Sequence, residues 1–127
     1  MEITTTIIIP NYNGMRFLEE CIRSLKAQTY PNFRILVVDN GSTDGSAEWL
    51  REREIETIFL SENTGFSGAV NTGIRAADTP YVILLNNDVR VDEYYVAEMV
   101  RAIGQSERIF SVSSRMLQMY HPELLDD

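Results

Sequence analysis

Two places in this 127-residue chain set polar side chains directly behind an apolar run. The first is Asp39, which follows Phe33-Arg34-Ile35-Leu36-Val37-Val38 and opens the turn-rich stretch Asn40-Gly41-Ser42-Thr43-Asp44-Gly45. A carboxylate in that position is costly unless something hydrogen-bonds it. A ligand hydroxyl or imide N–H would serve, and so would the loop's own backbone N–H groups in an Asx-turn. The second is Asn86-Asn87-Asp88, which ends the run Tyr81-Val82-Ile83-Leu84-Leu85. A carboxylate with carbonyl and phosphate oxygens nearby can hold Mg²⁺ or Mn²⁺, ions that keep several waters and take only one or two protein carboxylates. The plainer alternative is a turn leading into a helix capped by Asp92.

A third polar stretch, Pro10-Asn11-Tyr12-Asn13-Gly14, offers the Tyr12 ring for a base to stack on and the main chain of Pro10 and Asn11 to face a cleft. It contains no Gly-x-Gly-x-x-Gly, so a pyrophosphate cannot approach the backbone as in dinucleotide-binding folds, which disfavours nicotinamide and flavin cofactors. Cys21 falls on the apolar side of a helical pattern and reads as core, and His121 stands alone beside Pro122.

Elements that could hold these residues together follow from the periodicity. Strands are expected at 4–9, 33–38, 55–60, 81–85 and 109–112. Helices are expected over 15–28 and 45–53, the latter capped by Ser42, Thr43 or Asp44. A third helix follows Gly65, with Phe66, Ala69, Val70, Gly73, Ile74 and Ala77 facing inward. A fourth, capped by Asp92 and ended by Gly104, carries Val96, Met99, Val100 and Ile103. The fully apolar run at 81–85 reads as a central strand covered on both faces. This βα alternation predicts an α/β fold, a Rossmann-like, mostly parallel sheet with helices on both faces. Ligands in such sheets bind at the carboxyl ends of the strands, where all of the polar stretches above lie.

Composition narrows the partners. The formal net charge of −8 argues against nucleic acid, whose affinity comes chiefly from Lys and Arg releasing counterions. One Cys and one His cannot build a disulfide or a zinc cluster. The start Met-Glu-Ile-Thr lacks the basic segment of a signal peptide, and no apolar run approaches the ~20 residues of a membrane span. The expected location is the cytoplasm, with peripheral attachment at the inner face of the membrane as a variant.

Four motifs in order, Ile8-Ile9-Pro10-Asn11-Tyr12-Asn13, Val37-Val38-Asp39-Asn40-Gly41-Ser42-Thr43-Asp44-Gly45-Ser46, Asn63-Thr64-Gly65-Phe66-Ser67-Gly68-Ala69-Val70-Asn71-Thr72-Gly73 and Leu84-Leu85-Asn86-Asn87-Asp88, resemble the nucleotide-sugar-binding half of a GT-A type family 2 glycosyltransferase. The resemblance implies a nucleotide-diphosphate-sugar donor (UDP or dTDP type), a divalent cation, Mg²⁺ or Mn²⁺, and transfer to a saccharide or lipid-linked acceptor hydroxyl with inversion. It places Pro10, Asn11, Tyr12, Asp39, Asn71 and Asn87 at the nucleotide, with Asp39 accepting from the base. Asp88, with Asn86, would be at the metal, as in the family's Asp-x-Asp motif. Asn86 departs from that motif, where the family often has Asp, and the Asn-Asn-Asp form is similar to a rhamnosyltransferase-like branch with a deoxy-sugar donor. The resemblance also implies that residues 1–127 are the nucleotide-sugar-binding part alone. The acceptor half and its acidic base would be absent, and no catalytic residue would lie in this chain. Homo-oligomerisation is compatible with this reading.

Readings of other classes are a nucleotide-sugar-binding module without transfer, a nucleotidyltransferase, and a flavodoxin-like phosphoacceptor domain. The last would want an acidic phosphoacceptor where this chain has Ser61-Glu62-Asn63.

Overall fold

A computed structural model describes residues 2–104 and 117–118. The elements are β1 (Thr5–Asn11), α1 (Met15–Lys26), β2 (Phe33–Asp39), α2 (Ser46–Glu52), β3 (Thr57–Phe59), α3 (Gly65–Ala76), β4 (Tyr81–Leu84), β5 (Val89–Arg90), α4 (Tyr95–Gly104) and β6 (Leu117–Gln118). The expected strand at 109–112 and His121 lie outside the described residues.

Four strands form a parallel sheet in the order β3-β2-β1-β4. β1 and β2 run in register from Thr5↔Phe33 to Asn11↔Asp39, and β1 meets β4 from Thr5↔Tyr81 to Ile8↔Leu84. The strand order reverses between β1 and β4, and an open α/β sheet has its ligand crevice at such a switch point. A flavodoxin-like sheet would instead place β3 next to β1. β3 here pairs with β2, which rules out the phosphoacceptor arrangement. β5 and β6 form a separate antiparallel pair.

Helices cover both faces. On one, Ile7, Ile9, Val37, Ile83 and Leu85 pack with Leu18, Cys21, Ile22 and Leu25 of α1, Leu50 of α2 and Val96 of α4. On the other, Ile8 and Val38 pack with Ala69 of α3. Gln28, just past α1, ties the first layer together. Its amide donates to Ser24 O and Asp92 O, and its Oε1 accepts from Val96 N of α4.

Two expectations are corrected. The inward stripe of α3 consists of the small residues Ala69 and Gly73, while Phe66 and Ile74 are 57% and 50% exposed. A Cβ on Gly73 would lie 2.5 Å from Ile8 Cγ2, so the helix sits close on β1 and its bulkier residues are turned to the flanks. Among the described residues β4 is closely packed on one face only, that of Ile83 and Leu85. Among the described residues it pairs with β1 alone, α3 lies over β1 and β2, and Val82 and Leu84 are left 41% and 42% exposed. The proposed Asp92 cap works at one remove: its Oδ1 accepts from Tyr94 N in the turn before α4.

Candidate functional site

The polar stretches singled out in the sequence meet at the carboxyl edge of the sheet. Their meeting point is Asn11, the last residue of β1, whose side chain is 1% exposed. Its Nδ2 donates to Asp39 Oδ1 at 2.9 Å and to Ser42 Oγ at 3.3 Å. Its Oδ1 accepts from Asn87 Nδ2 at 2.7 Å. Its main-chain carbonyl accepts from Asn40 N at 2.8 Å, so both backbone and side chain serve to join loops.

Asp39 is 2% exposed, and its second oxygen accepts from Ser42 N at 3.1 Å, the Asx-turn bond expected of this loop. Two hydrogen bonds leave further lone-pair positions on an ionised carboxylate, which can accept at about four. The loop therefore satisfies Asp39 internally without exhausting it.

Two more asparagines stitch the neighbouring loops. Asn13, at φ 52°, donates from its backbone to Ser42 Oγ and accepts from Thr43 N. Asn40 accepts from Thr64 N and Thr64 Oγ1 and donates to Gly65 O, fastening the start of α3. Gly41, at φ 79°, makes this approach feasible. A Cβ there would stand 2.9 Å from the backbone of Glu62. The sequence places Asn13 and Asn40 in turn-rich stretches and assigns neither a role at the ligand. The signal available was the spacing of each from a strand end, which places its amide within reach of the next loop.

The other expected site residues stand as follows. Tyr12 is exposed at the mouth of the β1–α1 loop and Pro10 is half-buried in β1. Asn71 is exposed on α3 and has no hydrogen bond to the Asn11 cluster. Asn86 is exposed, and its carbonyl accepts from Cys21 Sγ at 3.7 Å. Burial, and secondarily the charge of Asp88, push the Cys21 thiol up to about 12, so it is a neutral core group. Asp88 is half-buried between Asn87 and Val89.

Whether these residues fit a divalent cation can be judged from the donor set. Among the described residues no three His, Cys, Asp or Glu side chains gather closely enough to hold a metal ion. Asp88 and the Asn86 amide oxygen, two residues apart in the chain, would supply one charge and hard oxygen donors. Such a set suits Mg²⁺ or Mn²⁺ that completes its shell with phosphate and water. It does not amount to a protein cage. No helix among the described residues is long and apolar enough to cross a membrane.

Glycosyltransferase GlyA of Streptococcus pneumoniae is 34% identical over 113 residues, covering 86% of this chain and 16% of that protein. Among solved structures, S. aureus TarS 1–349 in complex with UDP superposes with a TM-score of 0.69 at 22% identity, covering 80% of this chain and 33% of that one. The mannosyltransferase PcManGT of Pyrobaculum calidifontis, in complex with GDP-Man and Mn²⁺, gives 0.75 at 24% identity, covering 86% and 34%. The chain thus spans about a third of either solved protein, and the likeness confirms the GT-A type sheet. The sequence model of one family, Glycosyl transferase family 2, matches residues 6–123, from within β1 to beyond α4 and through every loop of the site, and to that family the chain belongs.

Proposed function

We propose that this chain is the donor-binding part of an inverting glycosyltransferase that takes a nucleotide-diphosphate sugar, UDP- or dTDP-linked, and delivers the sugar to an acceptor hydroxyl of a saccharide or a lipid-linked saccharide. The observation that carries the reading is the bonding of Asp39, Asn11 and Asn87 into one cluster at the β1/β4 switch point, with Asp88 next in the chain. Tyr12, exposed beside that cluster, stacks on the base while Pro10 lines its pocket, and a free lone pair of Asp39 accepts from a ring N–H. Asn71 lies toward the ribose or base, and Asn87 toward the nucleotide. Asp88 and Asn86 would hold Mg²⁺ or Mn²⁺, which when bound neutralises charge on the departing diphosphate. The acidic base that deprotonates the acceptor belongs to an acceptor half outside residues 1–127. The named ligands of TarS and PcManGT support a nucleotide-sugar donor, and the Mn²⁺ of the latter supports the cation.

With one carboxylate in the motif, metal and nucleotide should bind as a ternary set. By linkage each then tightens the other by the same factor. Calorimetry with UDP, dTDP and GDP, with and without Mn²⁺, tests this. Mn²⁺ alone should bind weakly, one of the diphosphates should tighten it, and Asp88→Ala should abolish the mutual enhancement. Equal coupling in wild type and variant would remove Asp88 from the site. Binding of a diphosphate with no metal dependence would favour a module that recognises nucleotides without transferring sugar.

A further inference from the structure

We propose that Asn11 is a positioning residue that joins the two ends of the ligand site, so that Asp39 and the Asn86–Asp88 loop hold their geometry as one unit. The inference rests on the roles proposed above for Asp39 and Asp88 and adds a physical connection between them.

Hydrogen-bond direction makes the connection. An ionised carboxylate can only accept, so Asp39 fixes the NH₂ end of the Asn11 amide on its own side, where Ser42 Oγ also accepts. The carbonyl end is thereby turned toward β4, and Asn87 is obliged to donate to it. Asp39 thus dictates the orientation of Asn87 through a single buried amide that spans the gap between β1 and β4. Leu offers neither end of this relay, and Asp offers two acceptors. Gly14 leaves the space for it, since a Cβ there would fall 2.1 Å from Asn87 Nδ2 and 2.6 Å from Asn11 Oδ1. Buried polar networks of this kind are rigid when complete and costly when one member is wrong.

Two variants test the relay, each read by calorimetry with UDP and GDP, with and without Mn²⁺. Asn11→Asp preserves shape but sets a carboxylate against Asp39, and two such groups in contact are relieved by sharing a proton. The titratable side chains of the joined segments are Asp39 at the end of β2 and Asp44 after it, Tyr12 in the β1–α1 loop and Asp88 after β4, with Cys21 of α1 bonded to the Asn86 carbonyl. Wild type carries all of them, so the difference between the two pH profiles isolates position 11. At pH 8 the N11D protein should lose at least tenfold in diphosphate affinity and most of the Mn²⁺ enhancement. Toward pH 5.5 it should regain at least threefold relative to wild type. Asn87→Ala, at a half-buried position, cuts the second link and leaves the first. Because Asn87 also lies toward the nucleotide, the readout is not affinity itself but the factor by which Mn²⁺ tightens the diphosphate, which should fall at least fivefold. If N11D does not fold, the N87A result decides alone. A folded N11D protein with the wild-type pH profile, or an N87A protein with unchanged Mn²⁺ enhancement, would reduce Asn11 to a loop staple and overturn the proposal. Failure of wild type to bind either diphosphate with Mn²⁺ would overturn the reading of the site itself, and is seen before any variant is made.

Discussion

Asp44 shows how a single exposed carboxylate can start two helices. Its Oδ2 accepts from Met15 N, the first residue of α1, and its Oδ1 from Ser46 N, the first of α2, with a further bond from Ser46 Oγ. Partial burial alone would raise its pKa, but these bonds favour the ionised form and hold it below the ordinary aspartate value. A carboxyl depressed on folding contributes stability that is complete above its unfolded pKa and lost as pH falls through the folded one. Asp44→Ala should therefore cost about 1–2 kcal/mol near neutrality, the scale of a lost helix cap. In urea titrations, wild type and variant should converge as pH falls below the ordinary aspartate range. A gap that persists undiminished in acid would mean that the ionised form is not what matters. Asp39→Asn has a twofold expected outcome. Its amide must face either Asn11 Nδ2 or Ser42 N, both donors, so stability should fall by about 1–3 kcal/mol. Diphosphate binding should weaken by about 1.5–3 kcal/mol as well, the scale of a hydrogen bond to a charged group. Loss of stability with unchanged binding would make Asp39 a turn residue only.

Among the elements, α3 is set by what it lacks. Ala at position 73 is intrinsically better than Gly in a helix by about 1 kcal/mol, yet its Cβ would press on Ile8, which is wholly buried in β1. Overpacking of that kind costs about 1–3 kcal/mol, so Gly73→Ala should lower the melting temperature. A rise would show that α3 can shift outward freely. The same element marks a boundary of what sequence periodicity can reveal. The period identified a helix after Gly65 and its apolar arc, but Phe66 and Ile74 counted equally with Ala69 and Gly73, because hydrophobicity does not register how closely two backbones approach. Similarly, the apolar run at 81–85 reads as doubly covered, while coverage depends on where α3 lies across β1 and β2. The site was more legible. Asp39, Asn11 and Asn87 could be picked out because polar side chains behind apolar strands must be satisfied, and ends of parallel strands are close in space. That they satisfy one another was not legible, since it requires the β1–β4 neighbour relation that only the folded sheet supplies.

For the molecule as a whole, the proposal that the acceptor half lies elsewhere carries its own test. The purified chain of 127 residues should bind a nucleoside diphosphate and transfer no sugar from UDP- or dTDP-linked donors above the hydrolysis background. Turnover onto any added saccharide would relocate the catalytic base into this chain. The sheet order has another consequence, for synthesis. β1 is made first but lies between β2 and β4, and Thr6 reaches its partner Thr79 only across 73 residues of chain. At ribosomal rates of about 5–20 residues per second, that is an interval of ~4–15 s. During it Ile7 and Ile8, which end wholly buried, have at most one of their two strand partners. Ribosome-bound chains stalled before Tyr81 should accordingly be cut rapidly by protease, and chains stalled well beyond Gly104 should resist. The arrival of β4 would then act as the point at which a growing chain commits to its fold, and the Asn11–Asn87 bond could close only after that commitment.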